Sequence, residues 1–263
     1  MRTPMPVQHM PNVFRLLLGG VALCVAIPHA QASTPATNVE NGRYLARAAD
    51  CEVCHTTEGG TPYAGGRPFS LPGVGVMYAP NITPDKTAGI GAWTDQQFVD
   101  AVRKGISPGG KHLYPAMPYP AYARMSDAQV RDIRAYLATL PPSPQKTPEN
   151  SIKFPFSIRS LMVFWNMLNG PADTYADDPG KSAEWNRGRY LVEGPGHCAD
   201  CHTPRTLTFG LDSSRALGGN VVNGWRAYNL TSDRQSGLGA WSDAELAQYL
   251  STGHADGHGT ASG

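Results

Sequence analysis

Apolar positions along the chain fall into three kinds of pattern. The first is a nearly unbroken run of about 12 residues from Leu16 to Ile27, preceded by Arg2 and Arg15 and followed by Ala30-Gln31-Ala32. This is the pattern of a secretory leader cleaved after Ala32, and it places the mature chain in the periplasm. The run falls short of the roughly 20 residues that a membrane crossing needs. The second pattern is helical spacing behind capping signals. Thr94-x-x-Gln97 and Ser242-x-x-Glu245 open helices that end at Gly105 and Gly253, and Ser126-x-x-Gln129 opens another that stops at Pro141. Val130, Ile133, Leu137 and Leu140 share one face of that last helix, with Tyr136 beside them. The third pattern is Pro141-Pro142-Ser143-Pro144, which favours extended chain, followed by a short apolar helix over Ile158 to Leu168. That helix is suited to docking a partner, lying on a membrane or bracing two domains.

The polar and apolar patterns repeat. Gly42-Arg43-Tyr44-Leu45 returns as Gly188-Arg189-Tyr190-Leu191, Asn81-Ile82-Thr83 as Asn229-Leu230-Thr231, and Gly91-Ala92-Trp93 as Gly239-Ala240-Trp241. The offsets run from 146 to 148 residues, so one unit has been duplicated.

Cysteine usage changes this picture into chemistry. Of five cysteines, Cys24 belongs to the leader, and the other four form two pairs, each followed directly by histidine. Cys51-Glu52-Val53-Cys54-His55 and Cys198-Ala199-Asp200-Cys201-His202 both fit C-x-x-C-H, the attachment sequence of c-type haem. Two thiols three positions apart on a helical turn reach the two vinyl groups of one porphyrin, and the next histidine presents its imidazole to the iron. A disulfide, a redox dithiol or half a zinc site would also explain one isolated pair. Two pairs in equivalent contexts of an exported chain outweigh those readings. The expectation is two covalently bound haem c groups, on Cys51, Cys54, Cys198 and Cys201, with His55 and His202 on iron.

The fold class expected is all-α, with two tandem cytochrome c-like haem domains. The leader occupies 1–32, the first domain 33–145, a linker with the short apolar helix 146–180, and the second domain 181–263. A Met thioether commonly takes the sixth iron position. In the first repeat Met117, in the rigid loop Tyr114-Pro115-Ala116-Met117-Pro118, is favoured over Met77 and Met125, with His112 as its main competitor. In the second repeat the equivalents of Met117 and of the Ser126 to Leu140 helix fall beyond Gly263. The second domain is therefore expected to be incomplete at its C-terminus. Either His254 or His258 substitutes as ligand, or the sequence is a piece of a longer protein, which is the favoured expectation. Trp93 and Trp241, with Arg67 or Arg226, are candidates for hydrogen bonding haem propionates, although core packing explains the tryptophans nearly as well.

Charge adds an exclusion. Lysine and arginine nearly balance aspartate and glutamate, at 22 against 21, and removing the leader takes away Arg2 and Arg15. A near-neutral mature chain argues against a nucleic-acid partner.

Further residues carry a resemblance: Gly42-Arg-Tyr-Leu with Cys51 to His55, Tyr78-Ala-Pro-Asn-Ile-Thr-Pro-Asp85, His112-Leu-Tyr-Pro-Ala-Met-Pro-Tyr119 with Tyr122-Ala-Arg-Met125, and Phe154-Pro-Phe-Ser-Ile-Arg-Ser-Leu-Met162. With these the chain after the leader resembles the cytochrome c subunits of bacterial membrane-bound dehydrogenases, which serve quinoprotein alcohol dehydrogenases and flavin-dependent gluconate, sorbitol and aldehyde dehydrogenases. The resemblance implies a multi-haem subunit that takes electrons from a catalytic dehydrogenase subunit with a quinone or flavin cofactor. It implies ubiquinone or a terminal oxidase as acceptor, Met117 as axial ligand, and a third haem if the protein continues beyond residue 263. It also implies association with the periplasmic face of the inner membrane, through partners or a further C-terminal segment. A di-haem peroxidase is the competing function, because it would use one relay haem and one with an open site. A haem-based sensor has no signalling domain to support it.

Overall fold

The computed structural model describes residues 37–171, 173–222, 224–255, 257 and 259–260. The leader, with Arg2, Arg15 and Cys24, and the candidate ligand His258 lie outside the described residues.

The Asn38 side chain accepts from the Asn41 amide and opens helix α1 (Val39–Ala48), which buries Gly42, Leu45 and Ala46. Asp50, at φ 50°, breaks the chain direction before the short turn α2 (Cys51–Cys54). Strands β1 (Pro68–Leu71) and β2 (Gly75–Tyr78) form an antiparallel hairpin that pairs Pro68 with Tyr78. Helix α3 (Asp95–Lys104) has both bonds of its capping box and ends at Gly105, whose φ of 64° suits glycine. A short α4 (Tyr119–Tyr122) leads to α5 (Asp127–Leu137), again opened by a complete capping box at Ser126 and Gln129. The helical face expected to reach Leu140 ends at Leu137, and Thr139 and Leu140 make tight turns instead. Pro141 disfavours helix in the residue before it and cannot donate to a continuing one.

Beyond α5 come β3 (Ser151–Ile152), α6 (Leu161–Asn169), α7 (Ala183–Glu193), α8 (Ala199–His202), β4 (Asn220–Val222), β5 (Trp225–Ala227), α9 (Asp243–Thr252), β6 (His254–Ala255) and β7 (Gly259–Thr260). The duplication is visible in these elements. Helix α7 stands for α1, α8 for α2, the β4–β5 hairpin for β1–β2, and α9, with its own complete capping box, for α3. The all-α expectation is incomplete: seven short strands lie among the described residues, in three small antiparallel sheets. They arise where glycines at positive φ, such as Gly73 and Gly224, let the loops fold back as hairpins.

The core lies almost wholly in the first repeat. Leu45, Ala49, Phe98, Val99, Tyr122, Met125, Val130, Ile133 and Leu137 form one buried cluster, joined from the second repeat by Tyr190. Helices α1 and α5 cross at Gly42, where an added Cβ would stand 1.9 Å from the Asp132 carbonyl oxygen. At the equivalent Gly188 an added Cβ would meet nothing within 4 Å. No residue of α9 is buried.

The segment expected as a linker lies along the first repeat. β3 pairs with β2, and Thr147 Oγ1 and Asn150 Oδ1 accept from the Asn81 and Tyr78 amides at 3.0 and 2.9 Å; just before them in the chain, Ser143 and Gln145 offer carbonyls to the Asn81 side chain. Helix α6 braces both repeats. Asn166 accepts from Tyr119 Oη at 2.6 Å, while Trp165 Nε1 donates to the Thr208 carbonyl at 2.8 Å. Its other face leaves Phe164, Met167 and Leu168 exposed.

Candidate functional site

The turn α2 presents Cys51, Cys54 and His55 to an apolar cavity of about 400 Å³. That size falls within the roughly 300–1,000 Å³ common for small-molecule and cofactor sites. The wall is built from most elements of the first repeat: Met77 from the hairpin, Ala79, Ile82, Ile90 and Trp93 from the following loop, Phe98 and Val102 from α3, Met117 and Tyr122 from the α4 region, and Ile133 and Leu137 from α5. Burial pushes the Cys51 thiol up to about 12, with Cys54 and Asp50 adding to the shift. It also raises Cys54, Cys198 and Cys201. Such thiols stay protonated at neutral pH.

His55 is aimed by the loop after the hairpin. Its Nδ1 lies 2.7 Å from the Pro80 carbonyl oxygen, so Nδ1–H donates there and Nε2 keeps its lone pair for a metal. Desolvation lowers the His55 pKa, which favours the same neutral ring. The second repeat reproduces the arrangement: His202 Nδ1 lies 2.6 Å from the Tyr228 carbonyl oxygen. Pro80 and Tyr228 went unnoticed in the sequence because a carbonyl carries no residue signature. The signal available was the repeated Asn81-Ile82-Thr83 and Asn229-Leu230-Thr231 directly after them. In both, the asparagine Oδ1 accepts from the threonine amide two residues on, at 2.9 and 2.8 Å, and so shapes the turn that exposes the carbonyl.

The two cysteine turns lie near one another. Cys201 is near enough to help raise the Cys54 thiol, and Asp50 does the same to Cys198 and Cys201. Tyr122 sits between them, donating its hydroxyl to the Ala49 carbonyl at 2.5 Å and meeting the His197 ring edge-on at 5.6 Å. Arg124 and Glu193 add an ion pair between the repeats at 3.3 Å.

Of the candidate sixth ligands, Met117, Met77 and Met125 all line the cavity, and His112 does not. His112 Nδ1 instead accepts from the Asn166 side chain at 2.9 Å. In the second repeat His254 lies on the exposed strand β6. Trp93 lines the cavity and packs on the core, whereas Trp241 meets Tyr249 edge-on at 5.4 Å. Arg67 is turned to the Val53 carbonyl at 2.8 Å and does not line the first cavity, while in the second repeat Arg226 lies over the Tyr228 ring.

Apolar walls, two protonated thiols and an imidazole whose Nδ1 is bonded to a carbonyl, all lining one cavity, fit a covalently attached haem. Among the described residues no His, Cys, Asp and Glu cluster suits a bare metal ion. Comparison with known proteins agrees. The cytochrome c family matches residues 39–141. The chain is 44% identical over 225 residues to the fructose dehydrogenase cytochrome subunit of Gluconobacter japonicus, covering 84% of this chain and 46% of that one. It is 41% identical over 258 residues to the gluconate 2-dehydrogenase cytochrome c subunit of Pantoea cypripedii, covering 94% and 57%. A diheme cytochrome c-type protein of Cereibacter sphaeroides is 35% identical over 229 residues, covering 84% and 75%. The chain thus spans about half the length of the dehydrogenase subunits it matches. Site geometry and relatives together place this chain in the cytochrome c family, among relatives that include cytochrome c subunits of dehydrogenases.

Proposed function

We propose that the chain carries two haem c groups and relays electrons, in the periplasm, from a catalytic dehydrogenase subunit with a quinone or flavin cofactor to ubiquinone or a terminal oxidase. The observation that carries the two-haem reading is the matched pair of histidine bonds, His55 to Pro80 and His202 to Tyr228, at 2.7 and 2.6 Å. In both repeats this bond holds the ring with Nδ1–H outward to a carbonyl and leaves Nε2 available to a ligand. Haem c supplies one-electron chemistry at its iron. Around it, Cys51 with Cys54 and Cys198 with Cys201 hold the group, His55 and His202 bind iron, and Met117 completes the first site. A Met thioether opposite His raises the potential, which suits an acceptor of electrons from a dehydrogenase. The contacts of Tyr122 with Ala49 and with the His197 ring, which bring the two cysteine turns near one another, support transfer between two groups, and the names of the dehydrogenase cytochrome subunits support the partner. The leader pattern supports export. No feature of the cavity favours the peroxidase reading.

Intact mass of the purified chain tests the haem count, since two attached groups are expected and one would refute the pair. Purification from solubilised membranes, followed by haem absorbance, tests the partner. A co-purifying dehydrogenase that reduces these haems when given substrate is the expected result; haems that arrive alone and stay oxidised would refute the relay.

A further inference from the structure

The wall of the first cavity is apolar except at a few places, and among the described residues one of its side chains is a lysine or arginine. That residue is Arg159, which enters from the segment between the repeats. It is held firmly. Nη1 donates to the His112 carbonyl oxygen at 2.6 Å, and the guanidinium carbon stands 4.6 Å from the centre of the Tyr114 ring. The Tyr114 hydroxyl in turn donates to the Phe156 carbonyl at 2.8 Å, tying ring and segment together. One of five N–H donors is thereby used, and the rest find no protein acceptor among the described residues.

Haem c brings two propionate carboxylates to an otherwise apolar disc. A carboxylate taken from water into such a wall is costly unless it is paired. A guanidinium fork pre-set by stacking is the side chain that pairs with it best. Of the arginines that sequence alone suggested for propionates, Arg67 does not line this cavity and Arg226 belongs to the second repeat.

We infer that Arg159 is the counter-ion of a haem propionate at the first site, so that the segment between the repeats both closes this cavity and raises the potential of the group within it. The inference rests on the proposal that haem c occupies the cavity at Cys51 and Cys54. A positive charge beside the group favours the reduced iron, which carries one positive charge fewer. Removing it favours the oxidised form.

Redox titration of the haem-loaded chain, with its two midpoints, tests this against an internal control. Arg159→Gln is expected to keep both haems by intact mass and to lower one midpoint while leaving the other in place. The expected change is several-fold to about tenfold in the ratio of reduced to oxidised haem, tenfold being about 59 mV for a one-electron couple. Arg159→Lys, which keeps the charge and loses the fork, should recover much of the loss. Unmoved midpoints in Arg159→Gln would overturn the assignment, as would an Arg159→Lys midpoint as low as that of the glutamine variant. Should Arg159→Gln lose its first haem, Arg159→Lys decides alone: a midpoint near that of the parent supports the assignment and a large fall overturns it. An unaltered chain whose mass places no haem on Cys51 and Cys54 would instead refute the underlying site.

Discussion

Gly42 of α1 and Asp132 of α5 are locked backbone to backbone: an added Cβ on Gly42 would stand 1.9 Å from the Asp132 carbonyl oxygen. The Asp132 carboxylate also accepts from the Asn38 amide and the Asn41 side chain, each at 2.7 Å, so one residue caps α1 and receives its glycine. This crossing holds the helix that leads into the first cysteine turn.

Gly42→Ala must therefore push the two helices apart, at a cost of about 1–3 kcal/mol. Gly188→Ala, where nothing stands within 4 Å, should be neutral or stabilise by up to about 1 kcal/mol through helix propensity. Denaturant unfolding of the two variants checks the contrast; equal effects would show that the crossing is not tight.

Asn81 and Asn229 share a turn but not an environment. Asn81 is buried and its amide donates to Ser143 and Gln145, whereas the Asn229 amide reaches only Ser236, at an exposed position. Asn81→Ala strands buried carbonyls and should cost about 2–3 kcal/mol, against less than about 1 kcal/mol for Asn229→Ala. Because the turn also sets the Pro80 carbonyl, Asn81→Ala should alter the absorbance of the first haem as well. Unfolding curves and haem spectra recorded together read both effects.

Met117→Ala should open the first iron to carbon monoxide and lower its potential, while His112→Ala should do neither. Carbon monoxide difference spectra of the reduced variants decide between them. An open iron in His112→Ala, with Met117→Ala unchanged, would reverse the assignment of the ligand.

Asp85 and Asp233 are held below the usual carboxylate range by backbone N–H groups, those of Ala88 and Thr87 in the first case and of Ser236 and Gln235 in the second. Hydrogen bonding to Lys104 does the same for Asp100. A carboxylate depressed by folding contributes stability that is present above its unfolded value of 3.8 and is lost as pH falls through the folded value. Thermal midpoints should hold steady from about pH 6 to 5 and fall below about pH 4. Asp85→Asn should be less stable than the parent at neutral pH, with the gap closing as acid is added. A gap independent of pH would mean that the charge on Asp85 does not matter.

Both C-x-x-C-H turns, the duplication, and the helices opened at Thr94, Ser126 and Ser242 were legible in the sequence. Local rules decide all of them: thiol and imidazole spacing, capping boxes, and a glycine or proline that ends a helix. The family resemblance rested, beyond the first cysteine turn, on loop and linker segments: Tyr78 to Asp85, His112 to Tyr119 and Phe154 to Met162. What lay out of reach depends on groups distant in the chain. Pro80 and Tyr228 act through carbonyls, which every residue has. Gly42 and Gly188 read alike, yet only one has a helix against it. Arg67 stood near the first motif in sequence and turns to Val53, while Arg159, more than a hundred positions from Cys51, lines the cavity. The strands, too, escaped a pattern read for helices, because each spans only two to four residues. Periodicity and spacing assign a residue its chemistry and its local conformation; only the packed chain decides which carbonyl aims a histidine and which arginine meets the cavity, because those contacts join segments that no local rule relates.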